Sequence, residues 1–196
     1  MSTGKDWTQV SGGQKFHPLD PKPEEIHFVD IATALSNICR YGGHVKRFYS
    51  VAEHSYLVSL RVEELGGDLY EQKWALLHDA SEAYLGDIVR PLKYQPLFAE
   101  YLKYEKRLQA MIVGKFDLAP LEPDIVKACD WEMLGTEVDQ LKRPIHPDWG
   151  ATTSTGKLPE PLVHGHWGMR KLGQPPERAF HLFVERFHIL WGPSPT

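Results

Sequence analysis

The chain has 196 residues, of which 42% are hydrophobic and 24% charged, and its formal net charge is −4. This composition suits one globular domain with a real core and excludes a predominantly disordered chain. The acidic balance disfavours general binding of nucleic-acid polymers, and the two cysteines exclude a disulfide scaffold and a four-cysteine zinc site.

The first predicted elements follow an irregular beginning. Residues 1–23 are polar and rich in glycine and proline, which predicts a lead-in without regular structure. Apolar residues recur at helical spacing over 31–38 and predict a first helix. Ser50 precedes Glu53 by three residues, and this capping-box pattern predicts a second helix over about 51–65.

Three further helices are predicted in the middle of the chain. Asp68 and Glu71 form another cap-like pair, followed by a predicted helix over about 70–85. Apolar spacing predicts a long helix over about 97–114, and a proline opens another over about 123–141.

The last part of the chain divides into a loop and a helix. Residues 142–175 are rich in proline and glycine and lack a clear period, which predicts a long surface loop. A final helix is predicted over 176–191, with a phenylalanine-rich stripe that docks on the core. The predicted fold class is therefore all-α: a compact bundle of about six helices, in a single domain over 1–196 with its helical core over 24–141.

Four residues of these helices are candidate metal ligands. His54, His78 and Asp130 each lie three or four residues from apolar neighbours, so they are predicted to point inward, and Asp79 follows His78 directly. Imidazole and carboxylate groups together suit Zn²⁺, Mn²⁺, Fe²⁺ or Co²⁺. Taken singly, each position also fits a structural role: a hydrogen-bonded core histidine, a helix-capping aspartate, or an aspartate paired with an arginine.

The order His54, His78–Asp79, Asp130 resembles that of the HD-domain metal-dependent phosphohydrolases. The string HDASEAYLGDIVRPLK is more specifically similar to the bacterial and phage branch that contains 5′-deoxynucleotidases and a deoxyadenosine triphosphohydrolase. The resemblance extends over about residues 31–141 and implies an all-helical HD-domain bundle. It implies that the four residues bind one divalent ion, Co²⁺, Mn²⁺ or Zn²⁺, with Mg²⁺ as a candidate second ion.

The same resemblance implies roles for residues around the ion. Asp79 and Glu82 are the expected catalytic pair, and Glu82 would exchange a proton with the attacking water or the leaving oxygen. Five matched positions are expected to bind substrate: Arg40 and Lys93 at the phosphate, and Tyr41, Asp87 and Pro91 near the sugar or base. Tyr41 replaces a tryptophan of the monophosphatases, which leaves the preference for 2′-deoxyribose open.

The implied function is hydrolysis of the 5′-mono- or triphosphate ester of a (2′-deoxy)nucleotide, and a triphosphate would gain from extra cations such as Lys46 and Arg47. Two alternatives remain: an HD-fold nucleotide-binding regulatory module without turnover, and an HD-type di-iron oxygenase. The absence of histidine from residues 80–145 counts against the oxygenase.

The expected partner is a small nucleotide, and the last helix could also bind a second copy of the chain. No membrane partner is expected, because the chain begins without an apolar run and contains no stretch of about 18 apolar residues. The expected location is the cytoplasm, in a bacterium or encoded by a phage.

Overall fold

The computed structural model describes residues 6–153, 155–164 and 166–192. The chain is mostly helical, which confirms the predicted all-α class. The α-helices are α1 Phe28–Asn37, α2 Val51–Glu64, α3 Leu69–Leu77, α4 Glu82–Leu85, α5 Arg90–Lys93, α6 Ala99–Lys115, α7 Asp124–Leu141, α8 His166–Met169 and α9 Pro176–Trp191. Short 3₁₀ turns lie at Pro23–Glu25, Arg40–Gly43, Pro96–Phe98 and Pro147–Thr152.

The predicted irregular lead-in contains a small antiparallel hairpin, β1 Thr8–Gln9 and β2 Lys15–Phe16, in which Thr8 lies opposite Phe16. Its turn is tied to α1, because the Ser11 hydroxyl and the Gly12 amide both donate to Oδ1 of Asp30, at 2.5 and 2.6 Å. Residues 1–5 of the lead-in lie outside the described residues.

Both predicted helix starts are capped, but in different ways. Asp68 and Glu71 form a complete reciprocal capping box at the start of α3. At the start of α2, Ser50 accepts from the amide of Glu53 at 3.1 Å, whereas the Glu53 carboxylate turns to the amides of residues 173 and 174. The predicted box at Ser50 is therefore only half formed, because the glutamate fastens a distant segment instead.

The helix predicted over 70–85 is interrupted. It ends at Leu77, and α4 begins at Glu82, after a turn with tighter hydrogen bonds such as that from the Glu82 amide to the Asp79 carbonyl at 3.0 Å. The side chain of Gln109 on α6 explains the break. Its amide donates to the carbonyl of Leu77 at 2.6 Å and accepts from the amide of Ser81 at 3.0 Å, and those two backbone groups would bond each other in a continuous α-helix.

The core lies around α2, which packs against α1, α3, α7 and α9. The apolar stripe of α9 docks on this core as predicted, and Phe187 stacks on Phe28 of α1 with ring centroids 3.7 Å apart. Phe183 is fully buried in the same contact. At these residues, the phenylalanine-rich stripe that was the alternative surface for a second copy is thus covered within the chain.

The described part of the predicted loop over 142–175 packs against α7 and is hydrogen-bonded to it. It contains the short helix α8 and a 3₁₀ turn, and Gly135 of α7 has no room for a Cβ atom, which would overlap the carbonyl of Pro159. The Gln140 side chain accepts from the amide of Leu172 and donates to the carbonyl of Arg170, both at 3.0 Å. Through these contacts, the described part of the segment covers one face of α7.

Candidate metal centre

Three side chains, those of His54, His78 and Asp79, meet at one point, and that of Asp130 lies beside it. Nε2 of His54 lies 3.2 Å from Nε2 of His78 and 3.1 Å from Oδ1 of Asp130. Oδ2 of Asp79 lies 3.3 Å from Nε2 of His78 and 3.7 Å from Nε2 of His54. The ligand atoms of His54, His78 and Asp79 thus all lie within 4.8 Å of one another, and Asp130 adjoins this group through its contact with His54.

Both histidine rings are oriented by the groups that bind their other nitrogen. Nδ1 of His54 lies 2.6 Å from a carboxylate oxygen of Glu137, and Nδ1 of His78 lies 2.7 Å from the carbonyl oxygen of Ala75. An ionised carboxylate and a carbonyl only accept, so each Nδ1 carries a proton and each Nε2 faces the meeting point. Outer hydrogen bonds of this kind fix the tautomer of metal-binding histidines.

The donor set fits a divalent cation. With neutral rings, two imidazole nitrogens and two carboxylate oxygens point their lone pairs at one another, which is unfavourable without positive charge between them. Burial lowers the pKa of His78, but the nearby Asp79 and Asp130 carboxylates outweigh it and raise that pKa to about 10. The cluster therefore attracts a cation, and mixed imidazole and carboxylate ligation suits Zn²⁺, Mn²⁺ or Co²⁺.

Asp130 does not point into the core as its spacing predicted. Its side chain is 47% exposed and lies on the wall of a cavity, whereas the side chains of His54 and His78 are 0% and 4% exposed. The prediction failed because Leu134, one turn further along α7, also lines the cavity. An apolar wall of a cavity and an apolar core face have the same helical spacing, so the sequence did not distinguish them.

A cavity of about 400 Å³ opens beside the cluster, which is within the range of small-molecule sites. All five residues predicted to bind substrate line it, namely Arg40, Tyr41, Asp87, Pro91 and Lys93. Apolar and aromatic side chains complete the walls, among them Ile88, Val89, Trp131, Leu134 and Trp149. The cavity therefore combines an apolar surface with charged groups next to the predicted ligands.

Glu82 is a buried carboxyl group on the wall of this cavity. Its Oε1 lies 4.0 Å from Nζ of Lys93, and its Oε2 has no hydrogen-bond partner within the described residues. Burial, followed by repulsion from Asp79 and Asp87, holds the pKa of Glu82 well above its ordinary value. Such a group can exchange a proton with a molecule bound in the cavity.

The predicted phosphate-binding cations are held by carboxylates. Nη1 of Arg40 donates to Oδ2 of Asp79 at 3.2 Å, which links the cavity to the metal cluster. Nζ of Lys93 lies 2.7 Å from Oε1 of Glu105. Tyr41, the next residue after Arg40, has a φ of 61°, a left-handed conformation that is uncommon for a residue with a Cβ atom.

The structure adds Glu137 to the site, which the sequence patterns had not singled out. It is fully buried and accepts hydrogen bonds from Nδ1 of His54 and from the hydroxyls of Tyr41 and Tyr49. Burial would raise the pKa of Glu137, but Arg40 and His54 outweigh it and lower that pKa to about 2. The signal was its spacing, because Glu137 lies seven residues, or two helical turns, after Asp130.

The extra cations suggested for a triphosphate lie elsewhere. Neither Lys46 nor Arg47 lines the cavity, and the Arg47 side chain packs against Gly173. Arg90 and Lys142 are the additional cations of the cavity wall.

The chain is similar in sequence to two bacterial proteins. No family model matches it. It is 36% identical over 185 residues to the uncharacterized protein YfdR of Escherichia coli, which covers 91% of this chain and 92% of YfdR. It is also 31% identical over 193 residues to an uncharacterized protein of Rhodobacter capsulatus, covering 94% and 95% of the two chains. Within the described residues, every helix is too short or too polar to cross a membrane.

Proposed function

The chain belongs to the family that includes YfdR of Escherichia coli, and we propose that it is a metal-dependent phosphohydrolase of the HD type that acts on (2′-deoxy)nucleotides. One observation carries the proposal: the cluster of predicted metal ligands adjoins the cavity onto which the buried carboxyl group of Glu82 opens. A cation site and a proton-exchanging group beside one small-molecule cavity suit the metal-assisted hydrolysis of a phosphate ester.

The four cluster residues, His54, His78, Asp79 and Asp130, would hold one Co²⁺, Mn²⁺ or Zn²⁺ ion. When bound, such an ion supplies charge that neutralises a phosphoryl group and makes water more acidic. Glu82 would accept a proton from the attacking water or return one to the leaving oxygen, and its raised pKa suits the second task at neutral pH.

Other residues of the cavity would hold the nucleotide. Arg40 presents a planar fork that matches two phosphate oxygens, and Lys93 adds a second positive charge. Asp87 offers a carboxylate acceptor for a sugar hydroxyl. Aromatic and aliphatic walls such as Trp131 and Val89 suit the flat face of a base.

The two alternative functions have less support. Outside the cluster, the described residues contain no further group of three histidine, cysteine or acidic ligands close enough to hold an ion, which disfavours a di-iron oxygenase. A buried glutamate oxygen without a hydrogen-bond partner in the described structure costs stability, and proton exchange during turnover would account for that cost at Glu82.

The test is an assay of purified protein stripped with EDTA and reloaded with Co²⁺ or Mn²⁺. The substrates are the 5′-mono- and triphosphates of deoxyribo- and ribonucleosides, and anion-exchange chromatography identifies the products. We expect metal-dependent release of phosphate from monophosphates or of tripolyphosphate from triphosphates. His78→Ala should lose both metal and hydrolysis, and the matched control His188→Ala, on the exposed face of α9, should retain both. Metal-loaded protein that hydrolyses none of these nucleotides would refute the proposal.

A further inference from the structure

Glu137 contacts both halves of the site through the two oxygens of one buried carboxylate. We infer that Glu137 is a positioning residue that fixes the orientation of two side chains relative to each other: His54, a predicted metal ligand, and Arg40, which faces the cavity. The part of this inference that concerns substrate rests on the proposed function, whereas the part that concerns His54 needs only the metal cluster.

One oxygen, Oε1, serves the metal side. It lies 2.6 Å from Nδ1 of His54, and the hydroxyl of Tyr49 donates to it at 2.9 Å. A carboxylate that accepts from Nδ1–H keeps the lone pair of His54 on Nε2 and makes that nitrogen a better ligand. Tyr49 is fully buried in the core and does not line the cavity, so its hydroxyl fixes this oxygen from the side away from the substrate.

The other oxygen, Oε2, serves the cavity side. It accepts from the hydroxyl of Tyr41 and lies 3.5 Å from Nε of Arg40. The far end of the same guanidinium donates to Asp79, itself a member of the cluster. The contacts therefore form a closed ring that runs from His54 through Glu137, Arg40 and Asp79 back to His54.

Because Glu137 is buried, this ring of contacts depends on the negative charge of its carboxylate. The residue is 0% exposed, so water cannot replace a lost partner. Glutamine has the same shape, but it lacks the charge, and its amide group can donate to Nδ1 of His54 and so favour the other tautomer. Glu137→Gln thus separates positioning by the carboxylate from simple filling of space.

The experiment compares Glu137→Gln with Asp139→Asn, which changes a carboxylate on the same helix that pairs with Arg143 instead. Isothermal titration of the metal-free proteins with Co²⁺ measures the dissociation constant, and ¹⁵N NMR of the histidine rings reports the tautomer of His54. We expect Glu137→Gln to weaken Co²⁺ binding by about 10- to 100-fold and to mix the two tautomers. Asp139→Asn should match the wild type in both measurements.

A second variant covers the case in which Glu137→Gln does not fold. Glu137→Asp keeps the charge but shortens the side chain, so its carboxylate no longer reaches His54, and Co²⁺ binding should again weaken. Equal Co²⁺ affinity in wild type and the folded Glu137 variant, or no Co²⁺ binding by the wild type, would overturn the inference. In nucleotide hydrolysis at saturating Co²⁺, we expect Glu137→Gln to raise KM about tenfold, because Arg40 loses the carboxylate that positions it.

The two proposals fail in different ways. If the wild type hydrolyses nucleotides while the Glu137 variants bind Co²⁺ normally, the inference is wrong and the proposed function stands. If Co²⁺ binding weakens as expected but the wild type hydrolyses no nucleotide, the proposed function is wrong and the positioning of His54 stands.

Discussion

Gln109 shows how one side chain distant in sequence shapes the cluster. Its amide group replaces the backbone hydrogen bond between Ser81 and Leu77, so the chain tightens between α3 and α4. The tightened turn carries His78 and Asp79. The direction of both side chains therefore depends on a residue of α6, about thirty positions later.

At Glu82, we predict that Glu82→Gln lowers the rate of nucleotide hydrolysis by about 10²- to 10⁴-fold, because the amide cannot exchange the proton. The dissociation constant for Co²⁺ should stay unchanged, since Glu82 is not one of the four clustered groups. Steady-state kinetics and titration calorimetry measure the two quantities, with the exposed Glu100→Gln on α6 as control. Hydrolysis by Glu82→Gln at the wild-type rate would contradict the proton-transfer role.

Among the elements, α7 has two functions on two faces. One face carries Asp130 and Glu137 to the site, and another supports the segment over 142–175, where the amide of Leu162 donates to the hydroxyl of Thr136 at 2.9 Å. Close packing of the segment requires a glycine at position 135. The same helix, α7, therefore supports both the covering segment and the site.

For this contact, we predict that Gly135→Ala lowers the free energy of unfolding by about 1–3 kcal/mol, because the new methyl group overlaps the backbone at Pro159. Gly114→Ala is the matched control in α6, where the added atom meets open space. The control should raise the free energy of unfolding by up to about 1 kcal/mol through helix propensity. Urea denaturation measures both, and equal effects of the two substitutions would show that the segment does not pack as described.

In the whole molecule, the four predicted ligands lie on parts of the fold that are far apart in sequence. His54 lies on α2, His78 and Asp79 follow α3, and Asp130 lies on α7. An ion held by all four would join these parts of the fold. It should therefore stabilise the folded chain as a whole, because the unfolded chain cannot gather the same ligands.

We predict that Co²⁺ at one hundred times its dissociation constant raises the free energy of unfolding by about 2.7 kcal/mol. For a chain of this size, Tm should rise by about 5–10 °C, which differential scanning fluorimetry measures. EDTA should reverse the shift, His78→Ala should abolish it, and His188→Ala should retain it. A Tm of the wild type that does not respond to Co²⁺ would exclude a metal centre of this strength.

Local patterns predicted much of the helical architecture. The all-α class, the caps at Ser50 and Asp68 and the inward direction of His54 follow from residues three or four apart, which touch on any α-helix. Residue types and their order along the chain also predict the four candidate ligands, of which His54, His78 and Asp79 lie close together. Residue type and order along the chain indicate metal-binding chemistry, and folding changes neither.

The remaining features were decided by contacts between residues distant in sequence. The break after Leu77 depends on Gln109, the wall position of Asp130 depends on where the cavity lies, and Glu137 gains its partners from two other segments. Helical spacing shows that a face is apolar, but not whether core, cavity or covering loop lies against it. Only packing of the whole chain creates that difference, because a neighbour across the fold is not encoded in local periodicity.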